Sequence, residues 1–177
     1  LRNPLNVDQA QLDLGRSEAD NEHFGKVANA HRRIEELIDD LLTLASEGKN
    51  IGELEAVDLE ALLGDCWRNV ETGDGTLEVA VDGDIRADPT RLRQILENLM
   101  RNAIEHGGES VTVSVGTTGE GFYVEDDGPG IPTEDRDTVF DAGYSTAEQG
   151  TGFGLTIVKQ VSKAHDWEID VTEGPHG

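Results

Sequence analysis

The chain has 177 residues, and its 14 lysines and arginines are outnumbered by 37 aspartates and glutamates, which gives a formal charge of −23 at pH 7. So acidic a surface excludes a nucleic-acid binder that works through a basic face. A single cysteine, Cys66, excludes an internal disulfide, and no stretch approaches the roughly 20 apolar residues that span a bilayer. The length allows one domain, or one full domain plus a helical appendage, and we expect the second; 36% hydrophobic residues support a folded core.

The first 48 residues contain few glycines and carry a helical pattern. From Asn21 onward, apolar positions recur at alternating spacings of three and four, at Phe24, Val27, His31, Ile34, Ile38, Leu41 and Ala45. A first helix with Leu1, Leu5, Leu12 and Leu14 would pair with this one as an antiparallel hairpin. Because two helices cannot close a core, we expect the hairpin of residues 1–48 to dimerise into a four-helix bundle.

The sequence pattern of residues 51–177 predicts a second domain of mixed helices and strands. In chain order, its predicted elements are a helix over 57–70, strands over 77–81 and 85–87, a helix over 89–106, a hairpin of strands over 111–115 and 122–124, a helix over 152–164 and a strand over 167–171. Asp58 and Asp88-Pro89 are typical helix starts, and Gly107-Gly108 is a typical helix end. The whole chain is therefore of the α+β class, with an α/β sandwich behind the helical hairpin.

The helix over 89–106 carries a polar patch. Asn98 and Asn102 are four residues apart and share a face, which Arg101 and His106 extend. An isolated pair of asparagines is more often exposed or capping. Here Leu92, Ile95, Leu96, Leu99 and Ile104 occupy the core face, so we expect the patch to border a cleft.

Three loop segments follow this helix. The run Asp126-Asp127-Gly128-Pro129-Gly130 comes directly after a strand, and taken alone it is a common turn. Residues 139–146 taken alone would be a surface loop. The run Gly150-Thr151-Gly152-Phe153-Gly154-Leu155 opens a helix, and its alternating glycines allow backbone N–H groups to approach a phosphate. Its spacing is not that of a dinucleotide-binding fingerprint.

The order and spacing of these four clusters resemble the N, G1, F and G2 boxes of sensor histidine kinases, in the superfamily that includes gyrase, a heat-shock chaperone and a mismatch-repair ATPase. The run Leu1-Arg2-Asn3-Pro4-Leu5 resembles the tail of the H box. In that motif the phosphoacceptor histidine lies two positions before Leu1, outside this sequence. The resemblance implies a Bergerat-type α/β sandwich that binds ATP and Mg²⁺.

The resemblance also implies roles for individual residues. Asp126 would hydrogen-bond the adenine amino group above Gly128 and Gly130, and Asn102 would bind Mg²⁺ with support from Asn98. The further residues implied at the nucleotide are Arg101 at a phosphate, His106 beside the nucleotide, Gly150, Thr151, Gly152, Phe153, Gly154 and Leu155 along the phosphates, and Phe140 as the anchor of a lid over 133–149. Asn3 matches a position that orients water for phosphatase activity, or it is simply a solvated residue before Pro4.

One position distinguishes phosphoryl transfer from hydrolysis. Gyrase-like ATPases have a water-activating glutamate where this chain has Asn98, and Glu97 points about 100° away around the helix. The resemblance therefore implies an autokinase that passes phosphate to an aspartate of a response-regulator receiver domain. It also implies a homodimer and an upstream sensor domain. The alternatives are a catalytically silent nucleotide-binding scaffold and a hydrolytic ATPase.

The charge pattern predicts the cellular setting. The lysines are only Lys26, Lys49, Lys159 and Lys163, and acidic residues cover every segment. This is typical of proteins in a salt-rich cytoplasm, so we expect a halophilic archaeal source, with an ordinary acidic protein as the alternative. Because the chain begins with Leu1 and no signal-like segment opens it, we expect it to be a cytoplasmic part of a longer protein. The sequence does not decide whether an upstream segment attaches that protein to a membrane. The resemblance also implies one more strand beyond Gly177.

Salt dependence tests the salt-adapted interpretation. Lowering KCl from molar to millimolar concentration should lower the midpoint of thermal unfolding, because 23 excess negative charges then repel one another with less screening. Thermal melts across that range measure the effect. A midpoint that does not change with KCl would contradict the interpretation.

Overall fold

The computed structural model describes residues 51–108, 110–119, 121–144, 152–172 and 174, together with seven positions between 27 and 42. The chain divides into two compact units, Leu1–Ala45 and Ser46–Gly177. The seven described positions of the first unit are all helical, and they are Val27, His31, Ile34, Leu37, Ile38, Leu41 and Leu42. The predicted first helix, including Asn3, lies outside the described residues. The hairpin and its dimer therefore stay predictions.

The second unit contains two small sheets and three helices. Strand β1 (Glu55–Asp58) pairs antiparallel with β3 (Asp84–Ala87). In the other sheet, β4 (Thr112–Thr117) lies between β2 (Thr76–Ala80), which is parallel to it, and β5 (Phe122–Asp126), which is antiparallel. The helices are α1 (Leu59–Asn69), α2 (Pro89–Gly107) and α3 (Gly154–Ala164). This mixed arrangement confirms the predicted α/β sandwich.

Two aspartates start helices as the sequence predicts. Asp58 caps α1, where its side chain accepts a hydrogen bond from the Ala61 backbone N–H at 3.0 Å. Asp88 caps α2 in the same way, and Pro89 occupies the first helical position, where its missing N–H costs nothing. At the other end of α2, Gly108 has φ of 101°, a conformation that favours glycine and stops the helix.

The core lies between the helices and the inner face of the three-stranded sheet. Leu63 of α1, Leu96 and Met100 of α2, and Val113 and Val115 of β4 are all fully buried. Cys66 is buried in the same cluster, and burial raises the pKa of its thiol to about 11, so the thiol stays protonated at neutral pH. Across the ranges that the structure describes, no helix is long and apolar enough to cross a membrane.

The structure corrects the predicted strand over 167–171, which is wrong. After α3, Asp166 has φ of 57° and the Trp167 N–H donates to Ser162 O at 2.9 Å, so the chain is still turning where the strand should begin. The Val171 N–H donates to the Asp170 side chain rather than to another strand. Alternation of apolar and polar residues alone cannot make a strand without a partner edge.

Two further corrections concern element boundaries. Val57 belongs to β1 rather than to the start of α1, because residues 55–58 pair with β3. This strand was missed because its four residues include a single β-branched side chain. Helix α3 begins at Gly154 rather than at residue 152, because Gly152 has φ of 71°, outside the helical range.

Truncation of the core should show how much α2 depends on packing. We expect Leu96→Ala to lower the free energy of unfolding by about 2–5 kcal/mol, because Leu96 is fully buried and the change leaves a cavity. Val79→Ala on β2 is the control, since Val79 is 39% exposed and its truncation should cost less than about 1 kcal/mol. Urea titrations of both variants measure the difference. Equal losses would contradict the assigned core.

Candidate functional site

Helix α2 presents the polar patch on its C-terminal half. Asn98 is buried, its Nδ2 donates to Gln94 O at 2.9 Å, and its Oδ1 accepts from the Arg101 guanidinium at 3.4 Å. Asn102 is half-buried one turn further on, and His106 is exposed in the last turn. The Asn98 side chain is therefore held within its own helix, while the patch grows more open toward the helix end.

The first residue of α3 lies directly against this patch. A Cβ built on Gly154 would lie 3.3 Å from Asn98 Oδ1 and 3.3 Å from Asn102 Oδ1. Both amide oxygens therefore face one small space at the N-terminus of α3. The first N–H groups of a helix have no partner within that helix, and they carry the positive end of its dipole. This is an arrangement in which oxygen ligands and anion-binding donors lie side by side.

The loop after β5 lies against the end of α2. The Gly128 N–H donates to Asp126 Oδ1 at 3.0 Å, and a Cβ on Gly128 would lie 2.7 Å from the Gly107 Cα. Glycine is required at this close approach. Asp127 fixes the loop to β4, since its Oδ1 accepts from the Thr112 N–H at 2.7 Å. The exposed Asp126 carboxylate is thus held at the end of the sheet.

The segment over 139–144 contacts both the glycine cluster and α3. The Gly143 N–H donates to Gly152 O at 3.0 Å, and a Cβ on Gly152 would lie 2.8 Å from the Gly143 carbonyl carbon. The Lys159 ammonium lies 5.7 Å from the Phe140 ring centroid, within the range of a cation–π contact. The Tyr144 pKa is raised by desolvation and by its hydrogen bond to Asp135.

The structure thus brings together the four clusters that the sequence separates by up to 56 positions, from Asn98 to Gly154. Phe153 is the N-cap residue of α3, Leu155 is half-buried in its first turn, and Gly130 has φ of 69° in the loop after β5. Gly150 and Thr151 lie outside the described residues.

Two contributors to the site were missed. Gly107 appeared to be only a helix stop and Gly143 only a loop residue, yet each meets the backbone of a second cluster. A signal existed for both, because each lies within one of the four clusters or at its border. Their contacts are tertiary, however, and a single sequence does not show which glycines face one another.

The amide oxygens of the site are suitable ligands for a hard cation. Over the described ranges, no group of three or more His, Cys, Asp and Glu side chains could hold a metal ion. The amide oxygens of Asn98 and Asn102 converge beside Gly154, and such ligands fit Mg²⁺ when phosphate oxygens supply the rest. Glu97 is turned toward α1, where it accepts from Asn69 Nδ2 at 3.4 Å.

The family model described as "Histidine kinase-, DNA gyrase B-, and HSP90-like ATPase" matches residues 87–177, which include all four clusters. The chain belongs to this ATPase family. The resemblance drawn from the four clusters is thereby confirmed, and so is the fold class of the second unit.

Three relatives place the chain within the family. It is 38% identical over 102 residues to the adaptive-response sensory kinase SasA of Trichormus variabilis, covering 52% of this chain and 25% of SasA. It is 35% identical over 129 residues to the sensor histidine kinase ZraS of Escherichia coli, covering 67% of this chain and 28% of ZraS. The crystal structure of full-length ShkA in complex with AMPPNP matches with a TM-score of 0.68 and 29% identity, over 92% of this chain and 38% of that chain. The chain thus spans about a quarter of the length of the curated relatives SasA and ZraS.

Substitution at two glycines separates backbone strain from contact between clusters. Gly83→Ala should cost about 1 kcal/mol of unfolding free energy, because φ is 79° there and nothing lies near the new methyl group. Gly152→Ala should cost at least about twice as much, because φ is 71° and the methyl group would meet the Gly143 backbone. Chemical denaturation compares the two. A Gly152→Ala cost no greater than that of Gly83→Ala would contradict the packing of the two segments.

Proposed function

We propose that residues 51–177 form the catalytic ATP-binding domain of a sensor histidine kinase, and that residues 1–48 belong to its dimerisation and phosphotransfer hairpin. The observation that carries the proposal is the convergence of Asn98, Asn102 and Gly154 at the N-terminus of α3. Family membership and the sensor-kinase relatives support it.

Asp126 is the proposed adenine-recognition residue. Its carboxylate ends β5 and keeps acceptor capacity after receiving the Gly128 N–H, because a carboxylate has about four lone-pair sites. An acceptor at this place pairs with the amino group of adenine and meets the carbonyl of guanine unfavourably. ATP is therefore the proposed nucleotide, which is consistent with the AMPPNP bound by the neighbour ShkA.

The phosphates lie, in this proposal, between the end of α2 and the start of α3. Arg101 supplies positive charge, and the N–H groups around Gly152 and Gly154 supply hydrogen bonds. Mg²⁺ would be held by Asn102, with Asn98 supporting it, since the Asn98 amide is already engaged by Gln94 and Arg101. When bound, the ion neutralises charge on the phosphate oxygens. Phe140, fixed by Lys159, would anchor the lid over 133–149.

The residues near Asn102 on α2, Asn98 and Glu97, favour phosphoryl transfer over hydrolysis. A water-activating base is needed for hydrolysis, and Asn98 has no basic oxygen comparable to a carboxylate. The neighbouring Glu97 carboxylate accepts a hydrogen bond from Asn69 on α1 and points away from Asn98. The proposed site therefore positions ATP for attack by a protein nucleophile that comes from elsewhere.

That nucleophile is the histidine expected two positions before Leu1. Its imidazole nitrogen would attack the γ-phosphorus in line, forming an N–P bond as the bond to the β,γ-bridging oxygen breaks and ADP leaves. The phosphoryl group would then pass to an aspartate carboxylate of a response-regulator receiver domain. A homodimer through the hairpin and an upstream sensor domain complete the proposed assembly, in which Asn3 would orient water for dephosphorylation.

Two alternatives predict different behaviour. A silent scaffold would bind ATP without forming phosphohistidine, and a hydrolytic ATPase would release phosphate continuously without a phosphoprotein. We also propose a cytoplasmic placement and a salt-rich source, and the acidic, lysine-poor composition supports the salt-rich source.

Autophosphorylation tests the proposal. The protein extended upstream through the expected histidine is incubated with γ-labelled ATP and Mg²⁺ in molar KCl. We expect a label that is labile in acid, stable in base and lost when that histidine is replaced. Label without this profile, or phosphate release without label, would contradict the proposal, and ATP binding alone would favour the scaffold.

A matched pair of asparagine variants tests the site itself. Asn102→Ala should lower the labelling rate about 100-fold, because it removes one oxygen ligand at the phosphates while leaving the core intact. Asn69→Ala is the control, since Asn69 is exposed at the end of α1 and its side chain contacts Glu97 on the side of α2 that faces away from Asn98. Equal rates in the two variants would remove Asn102 from the site.

A further inference from the structure

A buried histidine joins the far ends of α2 and α3. His165 directly follows α3 and is 8% exposed. Its Nε2 accepts a hydrogen bond from the Asp88 backbone N–H at 3.1 Å, and its Nδ1 lies 2.8 Å from Val161 O. Because Nε2 is an acceptor, the ring hydrogen must be on Nδ1, which then donates to Val161. The ring also stacks on Trp167 with centroids 4.4 Å apart.

Asp88, the partner of His165, is the N-cap of α2. Its Oδ1 accepts from the N–H groups of Thr90 and Arg91, and its Oδ2 accepts from the Gly52 N–H at 2.8 Å. Burial opposes ionisation of this carboxyl, but these backbone hydrogen bonds outweigh it and lower the Asp88 pKa. The Asp88 N–H itself precedes the helical ladder, so it needs a partner from outside α2. His165 is that partner.

The two helices therefore meet at two places. At one end the Asp88 N–H bonds to His165, and at the other Gly154 lies against Asn98 and Asn102. The helices must run antiparallel. Ten residues separate Asp88 from Asn98 and eleven separate Gly154 from His165, which at 1.5 Å per residue gives about 15 and 16 Å of helix. The two contacts thus fix one and the same register of α3 along α2.

We propose that His165 is a positioning residue for the nucleotide site, because its bond to the Asp88 N–H sets how far α3 lies along α2 and so places Gly154 against Asn98 and Asn102. His165 does not touch the proposed nucleotide, from which about 15 Å of helix separates it. A slip of one residue would move the start of α3 by about 1.5 Å. That is enough to change the close approach of Gly154 to Asn98 and Asn102, where a Cβ on Gly154 would lie 3.3 Å from each amide oxygen. This inference rests on the proposed function.

Nucleotide affinity of three His165 variants tests the proposal. His165→Phe keeps an aromatic ring against Trp167 but removes both ring nitrogens. His165→Asn keeps a polar group near Nδ1 but is too short to reach the Asp88 N–H, whereas His165→Gln keeps an acceptor that reaches it. We expect the Kd for a fluorescent ATP analogue with Mg²⁺ to rise at least fivefold in His165→Phe and in His165→Asn. In His165→Gln it should rise less than twofold. Titrations are done well below each unfolding midpoint.

A control variant separates register from general stability. Leu77→Ala truncates a half-buried residue of β2, which pairs with β4 and lies 11 positions before Asp88 in the chain. It should lower the unfolding midpoint without changing the Kd. In the protein without nucleotide, the Gly154 amide resonance should shift in His165→Asn but not in Leu77→Ala.

The outcomes distinguish this proposal from the proposed function. If the Asn and Phe variants bind the analogue as tightly as the unaltered chain, His165 has only a structural role and the proposal is overturned. If His165→Phe does not fold, the Kd values of His165→Asn and His165→Gln are compared with each other instead. If the unaltered chain binds no nucleotide, the proposed function fails, and a positioning role toward nucleotide fails with it.

Discussion

The packing of α3 against α2 is the constraint on which the rest of the site depends. Asn98 and Asn102 are fixed by the period of one helix, but they become a site only where the glycine start of a second helix meets them. The absence of a side chain on Gly154 lets the two helices approach there, and the capped start of α2 holds their far ends together through His165. The loop after β5 lies against Gly107 at the end of α2, and the segment over 139–144 contacts Gly152 and α3.

Electrostatics make this arrangement unusual for a phosphate site. No lysine or arginine occurs between Arg136 and Lys159, so Arg136 near its start is the only basic residue in the sequence of the proposed lid, and Lys159 lies near Phe140. Negative charge on a triphosphate would therefore be met by Arg101, by helix N–H groups and by a divalent cation. A site that depends on backbone dipoles more than on mobile lysines keeps its geometry in concentrated salt, where screened side-chain charges lose strength. This fits the acidic composition of the chain.

Local signals predicted much of the fold, and tertiary contacts explain what they missed. Asp58 and Asp88 cap helices where the sequence places them, because capping depends on residues within one turn. Residues 167–171 alternate like a strand, yet they form none, because a strand also needs a neighbouring edge that no local pattern encodes.

The site, too, was predicted from local signals but not in its tertiary contacts. The residue types of the four clusters indicated phosphate and adenine contacts, whereas the meetings of Gly128 with Gly107 and of Gly152 with Gly143 depend on the fold. His165 gave no signal, since its partner is a backbone N–H far away in sequence.

Amide chemical shifts show whether these clusters form one ATP site. The ¹⁵N-labelled chain is titrated with AMPPNP and Mg²⁺ while its two-dimensional spectrum is recorded. We expect the largest shifts to occur together at Asn102, Gly128 and Gly154. Shifts confined to residues 82–84, 117–119 and 121, which line a separate cavity of about 610 Å³, would contradict a shared ATP site, as would the absence of any shift.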